Sequence, residues 1–151
     1  MDTEKASDPM DDWVRLFVAA FPELIEEGAT PDRDEVIFSL AYATVEAHRT
    51  NDTRFLQRSY HFVRWTLHHS QDSDLLGDLF HTFFDRLLSS KFSKKACVDF
   101  LDWGDVKILL DNIRLEPLFT DEENFAKICH EWQKRWSQNR KLPIPEAPIA
   151  E

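Results

Sequence analysis

Leu75, Leu76, Leu79, Phe80, Phe83, Phe84, Leu87 and Leu88 recur in pairs four residues apart. At 100° per residue they spread over roughly 220° of a helix surface, and no strand carries that spacing. A surface helix needs an apolar stripe of only about 100°, so a helix apolar over twice that arc must be covered on at least two sides. The segment is therefore expected to be a core helix of an all-α domain. Glycine usage agrees. Only three occur, at 28, 77 and 104, whereas hairpins and phosphate-cradling loops draw on glycine for positive φ and close backbone approach.

The 151 residues fit one domain, and a domain of this size buries close to 70% of the surface its unfolded chain exposes. Five Trp and twelve Phe provide large apolar side chains for that core. Cys97 and Cys129 both sit among apolar residues at helical spacing and read as small buried hydrophobes in a reducing, cytoplasmic compartment. No basic leader precedes an apolar stretch, and no run of about 18 apolar residues occurs.

The net charge of −10 is uneven: residues 1–35 hold 11 acidic against 3 basic side chains, and the remainder 17 against 15. Such a balance argues against direct nucleic-acid binding, which needs a basic footprint to displace condensed counterions. It disfavours an anionic membrane surface for the same reason.

Along the chain, residues 1–8 read as a frayed segment, 9–140 as the helical domain and 141–151 as a Pro-rich extended or disordered tail. Trp13, Leu16, Phe17 and Phe21 mark a first amphipathic helix, with Gly28 as a stop after Pro22. Thr30-Pro31 followed by Asp32, Asp34 and Glu35 starts a second helix over about 31–49, whose VIFSLAYATVEA run predicts burial on several sides. A third helix covers about 53–69 and the opening helix about 74–90, all joined by very short turns that force antiparallel neighbours. Ser93 is read as capping a shorter helix that Trp103-Gly104 ends, and Asp105 as starting another. A capping box at Thr120–Glu123 opens a last helix with Trp132 and Trp136 on its stripe. Six to seven helices follow, in an irregular antiparallel array resembling an α-α superhelix or in a bundle.

Four constellations bear on function. The third helix projects Arg54, Arg58, His61, Arg64, Trp65, His68 and His69 into one half. That half is either a docking surface, since Trp and Arg are enriched at interface hot spots, or it is covered by neighbours and pairs with the acidic N-terminal segment. The second constellation is that segment itself: Asp11, Asp12, Glu23, Glu26, Glu27, Asp32, Asp34 and Glu35 would steer a basic partner or merely solubilise the domain. Asp78, His81 and Asp85, at i, i+3 and i+7 on the polar strip of the opening helix, are the third; they would suit a metal, although no second ligand set accompanies them. Last come the catalytic candidates, His48 and His130 as bases and the two cysteines as nucleophiles. Both cysteines lie on apolar stripes rather than in the electropositive, partly exposed setting that thiol catalysis needs.

The order of FPEL, a long buried helix, the turn-linked pair RTNDTRFLQRSYHFVRWTLHH and SDLLGDLFHTFFDRLL, and a closing aromatic helix resembles small uncharacterised bacterial all-helical families, some labelled immunity-like in toxin systems. The resemblance spans roughly residues 13–136 and rests on hydrophobic spacing. It implies a non-enzymatic protein-binding role, without a cofactor, against a basic protein. Two alternatives stand beside it: a helical metalloprotein or enzyme built on Asp78, His81 and Asp85, and an oligomeric module assembled through Trp132 and Trp136.

Overall fold

The computed structural model describes residues 13–113 together with His130, Leu142 and Pro143. Among these residues the regular structure is helical and strands are absent. The helices are α1 (Trp13–Ala20), α2 (Arg33–Thr50), α3 (Thr53–His69), α4 (Ser73–Asp78), α5 (Asp85–Ser89) and α6 (Trp103–Ile113). A π-helical segment, Leu79–Phe84, joins α4 to α5 without a break, so the opening pattern forms one continuous helix from Ser73 to Ser89. Counted that way, five helices stand among the described residues, where six to seven are expected over the whole chain. The helix opened by the Thr120–Glu123 capping box lies outside the described residues, as do Cys129, Trp132 and Trp136.

Aspartate begins four of these helices. Asp32 accepts from the Glu35 N–H at 2.8 Å, Asp52 from Phe55 N–H at 3.1 Å, Asp72 from Asp74 and Leu75 N–H, and Asp102 from Asp105 N–H at 3.0 Å. Each satisfies backbone donors that the first helical turn leaves open and places a negative charge at the positive end of the helix dipole. Part of the chain's acidity is therefore local helix chemistry. Asn51 closes α2 in the left-handed conformation (φ 57°), a role its short polar side chain tolerates. Gly28, at φ +80°, turns the chain between Pro22–Leu24, a single 3-10 turn, and α2.

Three of these starts differ from the sequence reading. Asp32, not Thr30, caps α2. Ser93 caps nothing: its hydroxyl donates to the Leu87 carbonyl at 2.6 Å, and the Ala96–Phe100 stretch beyond it is a 3-10 turn. Trp103-Gly104 opens α6 instead of ending a helix, because Asp102 and Asp105 form a reciprocal cap in which Asp102 N–H also donates to Asp105 Oδ2 at 2.9 Å. Gly104 sits tight against that cap, where a Cβ would approach Asp102 Oδ1 to 3.2 Å.

The π-helical segment is where the long helix meets α2. Leu75, Leu76, Leu79, Phe80, Phe83, Phe84 and Leu87 are all buried and Leu88 is partly so, as the wide apolar arc requires. α2 packs against both α3 and this helix, while α6 packs against both α3 and α4. An aromatic cluster seals α1 onto α3: Trp13, Phe17 and Phe21 surround Phe62 with ring centroids 5.4–5.9 Å apart. The buried Trp13 indole N–H donates to Thr66 Oγ1 at 2.9 Å, so the largest side chain of α1 brings its polar atom to a partner.

Candidate functional site

Burial of α3 decides what its basic residues do. Phe62 through Leu67 are consecutively buried; Trp13 and Phe17 of α1 lie against Phe62 and Thr66, and Asp105 of α6 against Arg64. Trp65 is 2% exposed and stacks near His69. Of the two readings of this face, burial of Trp65 agrees with the one in which it is covered and speaks against its centring an open docking surface. Arg58 lies over the rings of Phe21 and Phe55 and pairs with Glu23 at 2.7 Å. The acidic N-terminal segment and the basic helix thus meet at this pair within one molecule. Arg54 and His61 remain exposed.

Arg64 and His68, four residues apart on α3, face Asp102 and Asp105, three apart at the start of α6. Arg64 Nε donates to Asp105 Oδ2 at 2.6 Å and Nη2 to Asp102 Oδ2 at 3.4 Å. His68 Nε2 lies 2.6 Å from Asp105 Oδ1. Asp105 is fully buried, and Arg64 and Asp102 are each 6% exposed. The Leu142 N–H reaches Asp102 Oδ2 and Arg64 Nη1 reaches the Pro143 carbonyl, both at 2.9 Å. All four carboxylate oxygens have a partner, as buried charges require.

His68, Asp102 and Asp105 bring ligand atoms within 4.8 Å of one another, a spacing that would suit a metal. The Arg64 guanidinium, however, already lies against both carboxylates. A divalent ion would have to displace it, so the cluster reads as an ion-pair network.

The other metal candidates do not converge. Among the described residues Asp78, His81 and Asp85 form no such group. The physical reason is the π-helical segment between Asp78 and Asp85, whose wider turn puts the residues after it out of phase with those before. Asp78 instead accepts from Arg33 at 3.1 Å, and the same guanidinium reaches Asp72 at 3.1 Å, tying α2 to the start of α4.

His48 and Tyr60 form a second buried polar pair, His48 Nε2 and the Tyr60 hydroxyl being 2.8 Å apart with Phe100 stacked on Tyr60. Burial pushes the His48 imidazole below its ordinary value, partly opposed by Asp99, and pushes the Tyr60 phenol well above its own. Neutral forms of both suit a structural contact. Cys97 is buried among the same elements, and His130 is exposed.

The surface of α2 departs most from expectation. Phe38 is 49% and Tyr42 61% exposed, although the apolar run predicts burial on several sides. At 100° per residue, Asp34, Phe38, Tyr42, Glu35 and Glu46 fall within about 120° of the helix surface. Asp34 and Glu35 are exposed, as are Glu26 and Glu27 in the preceding loop. Arg49 Nε donates to Glu46 at 2.8 Å and holds its carboxyl below the usual range, and Arg86 lies 4.7 Å over the Phe38 ring. Two exposed aromatic rings set among carboxylates make a surface that suits a cationic partner. Asp11 and Asp12 lie outside the described residues.

No family model, no curated protein and no solved structure matches this chain. The two features that spacing alone did not bring forward are the α2 aromatic pair and the Arg64 cluster. The cluster had a readable signal: Arg and His four apart on one helix, and Asp-x-x-Asp three apart at the mouth of another.

Proposed function

We propose that this chain is a non-enzymatic binding module that receives a basic protein on the outer face of α2 and acts by steric occlusion, in the manner of an immunity or antitoxin protein. The observation that carries the reading is the exposure of Phe38 and Tyr42 between Asp34, Glu35 and Glu46. Single exposed aromatics also occur at Phe92 and Trp103, but Phe38 and Tyr42 stand one helical turn apart on one face, and aromatic pairs so placed are the residue types that anchor interfaces. The surrounding carboxylates and the net charge of −10 would speed encounter with a positively charged partner.

The same charge makes direct nucleic-acid binding unfavourable. No helix among the described residues is long and apolar enough to cross a membrane. The buried Cys97 thiol is in keeping with a cytoplasmic setting.

The test compares the wild-type chain with Phe38→Ala/Tyr42→Ala in pull-downs from the source cell at low and high salt. Since both side chains are exposed, the double variant keeps its circular dichroism and melting temperature. A basic protein retained by the wild type should lose affinity by roughly thirtyfold or more in the variant, the effect of removing an interface anchor. Retention should also weaken with salt. Retention indifferent to both the substitutions and the salt, or no retained protein at all, overturns the reading.

A further inference from the structure

The Arg64–Asp102 pair that helps hold α3 to the start of α6 also bonds the main chain of two consecutive residues, one through each side chain. Arg64 engages Asp105 through Nε and Asp102 through Nη2, leaving Nη1 for the Pro143 carbonyl at 2.9 Å. Asp102 caps α6 through Oδ1, while its Oδ2, which also takes Arg64 Nη2, accepts from the Leu142 N–H at 2.9 Å. The two side chains are each 8% exposed. We propose that Arg64 and Asp102 form a receptor for the main chain of an X-Pro unit, and that Leu142-Pro143 occupies it in cis as a latch.

The chemistry of the unit fits the site. The site reads the N–H of the first residue and the carbonyl of the second, and proline at the second position has no N–H that would need another partner. Proline also pushes the residue before it into extended conformations, which lowers the entropy lost on binding. Release leaves the ion network standing, because Arg64 keeps Asp105 and Asp102 as partners and water can replace the main-chain groups. The latch therefore opens without unfolding the helices. The occupant in trans would be another X-Pro segment, competing against an intramolecular one whose effective concentration is on the order of millimolar.

Amide hydrogen exchange on the full-length chain tests this. In the wild type the Leu142 amide should exchange at least about tenfold more slowly than an unstructured amide in the same sequence. Arg64→Lys offers a compact ammonium instead of a fork and cannot hold Asp105 and the Pro143 carbonyl together. It should remove most of the Leu142 protection while the Val63 and Leu67 amides of α3 stay protected.

A second arm uses the wild-type chain and the synthetic peptide KLPI, acetylated and amidated at its ends so that it holds a single X-Pro unit, at concentrations above the millimolar range. The peptide should deprotect Leu142, and the same peptide N-methylated at its leucine, which lacks the donor, should not. An unprotected Leu142 amide in the wild type overturns the proposal. So does unchanged protection in a folded Arg64→Lys variant, failure of the unmodified peptide to displace, or equal displacement by both peptides. If Arg64→Lys unfolds the helix, the peptide arm alone decides.

Discussion

Asp105 is the residue on which most of the buried charge depends. It is 0% exposed and accepts from Arg64, from His68 and from the Asp102 N–H. Asp105→Ala would leave the Arg64 guanidinium buried with one carboxylate fewer, and removing one partner of a buried pair costs about 3–5 kcal/mol. Urea denaturation should show that loss; a change under about 1 kcal/mol would mean that water reaches the cluster freely. His48 sets a pH dependence. Burial depresses its folded pKa, so above about pH 6.5 both folded and unfolded imidazoles are neutral and stability is complete. As pH falls through that range only the unfolded chain takes up the proton, and stability declines. The urea midpoint should therefore fall between pH 7 and 5.5, and His48→Gln should flatten that slope. Tyr60, whose pKa is raised, gives the opposite limb, with stability lost as pH climbs past the phenol's ordinary 10.0.

At the level of elements, the aspartate caps and the π-helical segment determine where helices start and which way they face. Asp72 accepts from two backbone amides at the start of α4 and also pairs with Arg33 of α2. Asp72→Ala should cost about 1 kcal/mol through the cap, with little added from the exposed ion pair. A double-mutant cycle with Arg33→Ala, read by thermal melts, separates the two contributions, since only the ion pair is shared by the two residues. Asn51→Gly should be near neutral, because glycine adopts the left-handed conformation at φ 57° without a steric penalty. Asn51→Val should cost about 1–2 kcal/mol. The boundaries of α2, α3 and the long helix were legible to within a residue or two, since short turns and strong apolar spacing leave few alternatives. The start of α6 was not: Trp103-Gly104 has a breaker's composition, and the reciprocal cap between Asp102 and Asp105 overrides it.

For the whole molecule, the all-α architecture follows from the amino-acid sequence alone. Pairs of leucine and phenylalanine four residues apart, with three glycines in 151 residues, permit a covered helix and little else. The pairing of basic α3 with acidic partners was also open to the sequence as one of two readings, and Arg58 on Glu23 is an instance of it. Tertiary structure decided which side chains meet water. Trp65 and Arg64 stand on what looks like a polar half of α3, yet both are buried, Arg64 against Asp102 and Asp105, which arrive from far along the chain. Phe38 and Tyr42 stand in what looks like a fully apolar helix, yet they are exposed. The long helix covers another side of α2, Arg86 reaching only one of the two rings. Periodicity measures how much of a helix is apolar. Which part of that arc faces a neighbour depends on where the other helices dock, and docking is a property of the assembled fold.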